Sequence, residues 1–229
     1  SNFFVNNQLL YSTIPPNLSF SFTKFSKIEV ISALKSLKPN SGAGSVGIES
    51  NIIIECADEL GEHITNLFNE IINSGTVPDD WKCALVTPLY KGKGAKTALD
   101  NYRPISILSP LSKVFESLLS EQIYAYFESN KLLHHAQFGF RNKLSCEIAL
   151  NCMIQNWKEW LDDKHDVIAV FLDLSKAFDT VDHNILINKL KLYNFNLAAT
   201  NLIKNYLTNR SIKVKIDDTL SKSEPLSVG

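Results

Sequence analysis

The stretch from Phe171 to His183 holds three carboxylates, Asp173, Asp179 and Asp182, and an apolar run, Val167 to Leu172, leads directly into the first of them. A carboxylate at the end of a buried segment is costly unless water or a cation stands beside it. Magnesium is a natural partner, since it takes hard oxygen ligands together with substrate phosphates. The alternative is plain capping of a following helix, a role that Asp179 or Asp182 fits well. A second chemical segment is basic. Lys82, Lys91, Lys93, Lys96 and Arg103 are opposed within their stretch only by Asp100, and glycines alternate with lysines in Lys91-Gly92-Lys93-Gly94. Glycine lets a backbone approach a phosphate, and arginine offers a planar fork to its oxygens. A solvated hairpin tip explains the same lysines. The GxxxxGK[ST] phosphate loop is absent. A third segment, Ala136-Gln137-Phe138-Gly139-Phe140-Arg141, combines aromatic rings with a guanidinium. It suits base stacking, or ordinary loop packing.

The periodicity of the chain predicts the elements that hold these segments. Ser26-Lys27-Ile28-Glu29 is a capping box, and a helix is expected from there to about Lys38. Leu60 to Ile72 has one apolar helical face, closed by Ser74-Gly75. Cys83 to Tyr90 reads as a strand. Helices are expected around Leu111 to Ile123, Ile148 to Trp160, Ile185 to Tyr193 and Leu197 to Leu207. Val167 to Leu172 reads as a strand buried on both faces. Ile212, Val214 and Ile216 alternate with Lys213, Lys215 and Asp217, the pattern of a half-exposed strand.

Composition bounds the rest. The chain has 229 residues, 45% apolar and 21% charged, enough for one large domain or two small ones with a real core. The net charge is −1, so any nucleic-acid surface must be local. The four cysteines, Cys56, Cys83, Cys146 and Cys152, form no CxxC pair and read as free thiols of a reducing compartment. No apolar run approaches the roughly 20 residues of a membrane span, and no secretory leader is visible. The chain opens on Ser1 and ends Leu226-Ser227-Val228-Gly229, and reads as a fragment.

Taken in order, these segments resemble the reverse transcriptases of non-long-terminal-repeat retrotransposons. The resemblance runs from about residue 26 to the last residue. It is carried by Trp81-Lys82, the basic turn, Tyr102-Arg103-Pro104-Ile105-Ser106, Gln137-Phe138-Gly139-Phe140-Arg141, and Phe171-Leu172-Asp173-Leu174-Ser175-Lys176-Ala177-Phe178-Asp179. It implies an α+β fold: right-hand polymerase fingers and an incomplete palm, helix-rich, with small antiparallel sheets. Residues 1–25 would be an N-terminal connector and 26–115 the fingers. Residues 116–180 would begin the palm, and 181–229 would form a second fingers segment.

The resemblance also implies roles. Asp173 matches the first catalytic carboxylate and a magnesium ligand, with the Leu174 carbonyl beside it. Phe178 matches the ring beneath the nucleotide sugar that excludes a 2′-hydroxyl. Lys91 or Lys93, with Arg103, matches the cations that grip the triphosphate. Phe140 and Arg141 would meet nucleic acid. The implied cofactor is Mg²⁺, two ions in a complete enzyme. The implied partners are an RNA template, a DNA primer and a dNTP, with no membrane, inside the cytoplasm and nucleus. Two departures stand out: Gly44-Ser45-Val46-Gly47-Ile48 replaces the family's Gly-Pro-Asp-Gly-Ile, and Asn142-Lys143-Leu144-Ser145-Cys146 replaces Pro-Gly-Arg-Ser-Thr. The family's later Val-Pro-Gln-Gly and Tyr-Ala-Asp-Asp segments do not occur here, so the expectation is a stretch inactive on its own. Two other readings remain: a non-catalytic remnant that binds RNA or protein, and an unrelated magnesium-dependent phosphotransferase using Asp173 and Asp179.

Overall fold

Ser26 and Glu29 cap the first helix as their spacing predicts. Ser26 Oγ accepts from the Glu29 backbone N–H, and the Glu29 carboxylate accepts from the Ser26 N–H at 2.7 Å. The structure, a computed structural model, describes residues 18–44 and 47–226. Residues 1–17 of the expected connector, Ser45 and Val46 of the departing loop, and Ser227 to Gly229 lie outside the described residues. The described helices are α1 (Lys27–Lys35), α2 (Ser50–Glu55), α3 (Ala57–Ser74), α4 (Pro110–Ser129), α5 (Cys146–Asp162), α6 (His183–Leu192) and α7 (Leu197–Leu207). The strands are β1 (Cys83–Tyr90), β2 (Tyr102–Ile107), β3 (Ser211–Ile216), β4 (Thr219–Leu220) and β5 (Glu224–Pro225).

The chain divides into two compact units, Ser1–Ile123 with Phe178–Gly229, and Tyr124–Ala177. The core of the first unit is an aromatic knot. Phe68 of α3, Phe115 of α4 and Trp81, just ahead of β1, have ring centroids 5.2 to 6.0 Å apart, and Phe25 stands edge-on to both phenylalanines. Such offset and edge geometries add to the burial of large apolar surface. Gly61 of α3 lets α1 come close, because a Cβ there would collide with Ile31. The irregular segment from Phe20 to Phe25 packs Phe22 and Phe25 on this core, and side-chain amides satisfy its backbone. Asn69 accepts from the Phe25 N–H at 2.8 Å and donates to its carbonyl at 2.9 Å, and Gln122 does the same for Thr23 at 2.9 and 3.0 Å.

The sheet is ordered β2-β1-β3-β4, with β5 beside β3. β1 pairs antiparallel with β2 and parallel with β3. The expected small antiparallel sheets are therefore one small mixed sheet. The reason is separation along the chain, since β1 reaches β3 only through a long helical crossover, the connection that parallel pairing needs. A larger correction concerns Val167 to Leu172. It forms no strand, and Ile168 and Leu172 are 89% and 92% exposed. A strand exists only by pairing with another, and among the described residues none runs beside this one. The apolar pattern reported a segment suited to burial without supplying its partner.

Phe115→Ala, which empties the centre of the aromatic knot, should cost about 3–5 kcal/mol. Trp160→Ala, at a half-exposed position of helix α5, should cost about 1 kcal/mol or less. Urea unfolding of the two variants checks the difference.

Candidate functional site

The basic segment folds into the β1–β2 hairpin. Its register pairs Tyr90 with Tyr102, Leu89 with Arg103 and Thr87 with Ile105. The loop between the strands is held by its own backbone. The Lys91 N–H donates to Asn101 O at 2.8 Å, Asn101 Nδ2 to Ala95 O at 2.8 Å, Tyr90 Oη to Gly94 O at 2.5 Å and Tyr102 Oη to Lys96 O at 2.9 Å. Gly94 has φ +79° and lies against the Asn101 amide, so a side chain there would be both strained and blocked. Of the cations, Lys91 Nζ donates to the Asp100 carbonyl at 2.6 Å and Lys96 lies 5.8 Å from the Tyr90 ring centre. Lys93 and Arg103 are exposed and have no carboxylate partner among the described residues. The structure thus brings Lys91, Lys93 and Arg103 onto one hairpin with two cations uncommitted.

Alternation along the sheet separates two faces. Ala84 and Val86 are buried, and Ile212 and Val214 pair with them. The opposite face carries Leu85, Thr87 and Leu89 of β1 with Arg103, Ile105 and Ile107 of β2. Lys213, paired with Leu85, belongs to that face, and Lys215 follows two residues on along β3, where the strand pairs with β4. The sequence showed these two lysines only as the polar half of an alternating strand; their place beside the hairpin is set by the β1–β3 register.

Asp173 and Leu174 belong to the second unit and lie in an exposed segment without regular structure. The Asp173 carboxylate has no hydrogen-bond or ion-pair partner among the described residues. Asp182 takes the capping role, accepting from the N–H groups of Asn184 and Ile185 at 2.8 and 3.0 Å to start α6. Phe178 opens the returning part of the first unit and is 71% exposed. Among the described residues no three His, Cys, Asp or Glu side chains gather as a metal site. A two-ion centre needs several oxygen ligands, so the residues present do not fit one, and Asp173 can supply only a single carboxylate.

The Gln137–Arg141 segment is a turn after α4, as its composition predicts. Arg141 grips Glu128 with two hydrogen bonds, Nε to Oε1 at 2.7 Å and Nη2 to Oε2 at 2.9 Å. Its Nη1 also donates to His134 O and Gln137 O, both at 3.3 Å. The guanidinium therefore shapes the loop, while Phe140, at φ +60°, extends its ring outward with 88% exposure. Tyr124 donates to the same carboxylate at 2.9 Å. An apolar cleft of about 350 Å³ lies between α4, α6 and α7, lined by Phe22, Leu119, Leu186, Leu190 and Leu202, and none of the expected site residues lines it.

Residues 91–227 match the family model described as reverse transcriptase (RNA-dependent DNA polymerase). The chain is 28% identical to a probable RNA-directed DNA polymerase from transposon BS of Drosophila melanogaster, over 88% of this chain and 22% of that protein. It is 26% identical to the RNA-directed DNA polymerase from mobile element jockey of the same fly, over 96% and 24% respectively. It is 27% identical to a probable RNA-directed DNA polymerase from transposon X-element, over 97% and 24%. The chain thus spans about a quarter of the length of these curated relatives.

The hydrogen bond from Arg141, with that from Tyr124 behind it, holds the Glu128 carboxyl below the usual glutamate range. A lowered carboxylate stabilises the folded loop above the ordinary glutamate pKa, and that contribution is lost as pH falls through the lowered value. Arg141→Gln should move the Glu128 titration, followed by carboxyl NMR, back up toward ordinary glutamates. An unmoved titration would show that the pair does not set the charge.

Proposed function

With membership of the reverse transcriptase (RNA-dependent DNA polymerase) family as premise, we propose that this chain is the nucleotide-gripping part of an RNA-directed DNA polymerase of a non-long-terminal-repeat retrotransposon. The polymerase would add dNTPs to a primer 3′-hydroxyl along an RNA template. The observation that carries the reading is the hairpin, a loop tied by its own carbonyls that presents Lys93 and Arg103 without carboxylate partners. Uncommitted cations on a fixed backbone suit a triphosphate, because no internal ion pair has to be broken before they meet it. In this reading residues 26–115 and 181–229 act as fingers and 116–180 as the start of the palm.

Asp173 would provide one magnesium-binding carboxylate, with the Leu174 carbonyl next to it. Phe178 would lie under the sugar and exclude a 2′-hydroxyl. Phe140 would stack on a base of the nucleic acid, while Arg141 keeps the loop in shape for it. In this reading Asp173 is one of the carboxylates of a two-ion centre, and among the described residues no further acidic side chains gather as a metal site, so the chain by itself is expected to bind nucleotide without polymerising it.

Two measurements test this. Fluorescent dATP titrated into the chain should bind, and Lys93→Ala combined with Arg103→Ala should weaken binding about tenfold or more, the loss of two charge-assisted contacts. Equal binding by the variant would remove the hairpin from the site. Primer extension on an RNA template with magnesium and dNTPs should yield no product from the 229-residue chain, and robust incorporation would refute its inactivity.

A further inference from the structure

We infer that the apolar cleft between α4, α6 and α7 is a binding site for a small organic amine, one with an apolar body and a single ammonium group. The inference does not depend on the polymerase reading. One local device, repeated three times, builds the walls. Leu119 and Ile123 of α4, Leu186 and Leu190 of α6, and Ile203 and Leu207 of α7 each stand four residues apart, so every helix turns an apolar pair to the same space. Leu119 is buried, and the other five are half-buried. The space measures about 350 Å³, within the range of pockets that hold one small molecule. Taking such half-covered apolar surface out of water is favourable, and it is the larger part of what a ligand would gain here.

Glu116 decides the polar end of that ligand. It lies one turn before Leu119 on the same face of α4 and lines the cleft. Its Oε1 accepts from Ser112 Oγ at 2.9 Å and from Tyr206 Oη at 2.7 Å, which fixes where the carboxylate stands. Its Oε2 has no hydrogen-bond or ion-pair partner among the described residues. Arg210 is committed to Tyr206. Its guanidinium lies 4.7 Å from the ring centre and donates to the Tyr206 carbonyl at 3.1 Å, and it makes no ion pair with Glu116. Among the described residues no lysine, arginine or histidine lines the cleft. A positioned carboxylate oxygen beside apolar walls, with no cation of its own, is half of an ion pair. An ammonium on an apolar body completes the pair and fills the space. A neutral ligand would shield the carboxylate from water without replacing what water gave it, and an anionic one would be repelled.

The test titrates phenylbutylamine into the full 229-residue chain, with phenylbutanol and phenylpentanoate as its neutral and anionic counterparts, by calorimetry and by methyl NMR. The amine should bind about tenfold more tightly than the alcohol, and the carboxylate more weakly than either. The methyl shifts should centre on Leu119, Leu186, Leu190 and Leu207. Glu116→Gln keeps a side-chain carbonyl that can accept from Ser112 and Tyr206, and should abolish the preference for the amine while leaving alcohol binding in place. Ser120→Trp, at an exposed position on the cleft wall, should fill the space and block all three probes. Glu121→Gln removes the same charge from the next turn position, outside the cleft, and should change nothing. The selectivity of the unsubstituted chain needs no variant, so it decides the matter even if a substitution unfolds the protein. Equal affinity for amine and alcohol, a preference that survives Glu116→Gln, shifts centred elsewhere, or no binding at about 10 mM amine would each overturn the inference. So would a dimer, seen by analytical ultracentrifugation, that Ser120→Trp dissociates, since the cleft would then belong to a second copy of the chain.

Discussion

The packing of Trp81 against Phe68 and Phe115 is the contact on which the placement of the β1–β2 hairpin depends. Trp81 sits two residues before β1, so burying its ring fixes where the strand leaves the helical core. β1 then serves as the central support. Its inner residues Ala84 and Val86 complete the core, and its far end carries the basic loop into solvent. A cation on a loop has value only if its position is repeatable, and here repeatability comes from rings buried at the other end of the strand. Close packing makes such a base stiff.

Polar side chains do a different job, closing the backbone accounts of irregular segments. Asn69 and Gln122 act as single-residue substitutes for a neighbouring strand along Phe20 to Phe25, and Asn205 accepts from the Val77 N–H at 2.8 Å. Glu116 accepts from both Ser112 Oγ at 2.9 Å and Tyr206 Oη at 2.7 Å, joining α4 to α7. Burial and that carboxylate push the Tyr206 phenol well up, so it stays a donor throughout the ordinary pH range. Arg141 belongs to the same class of device. Its donors are turned to Glu128 and to loop carbonyls, so the aromatic neighbour Phe140 is what the loop presents.

The second unit is held differently. None of the residues of α5 is buried, and only Ala149, Met153 and Trp157, spaced four apart, are half-covered. The Val167–Leu174 stretch is apolar and exposed almost throughout. Helix α5 forms regardless, because its hydrogen bonds are internal and Ser145 caps it. The stretch before Asp173 does not become a strand, because a strand's hydrogen bonds belong to a neighbour.

The same distinction separates what the sequence by itself determined from what tertiary structure decided. Local chemistry was legible: the Ser26–Glu29 box, the ends of α7 at Leu197 and Leu207, β1 from Cys83 to Tyr90, and a capping aspartate, read as Asp179 or Asp182 and found to be Asp182, all depend on residues within a few positions of one another. The basic loop and its cations were legible as types. Strand β2 was not, because Pro104 interrupts its pattern and its pairing partner lies more than ten residues away. Nor were the parallel β1–β3 contact and the common face of Arg103 and Lys213, which join residues over a hundred positions apart. Pairing and facing are relations between distant segments, and only the folded chain brings those segments into register.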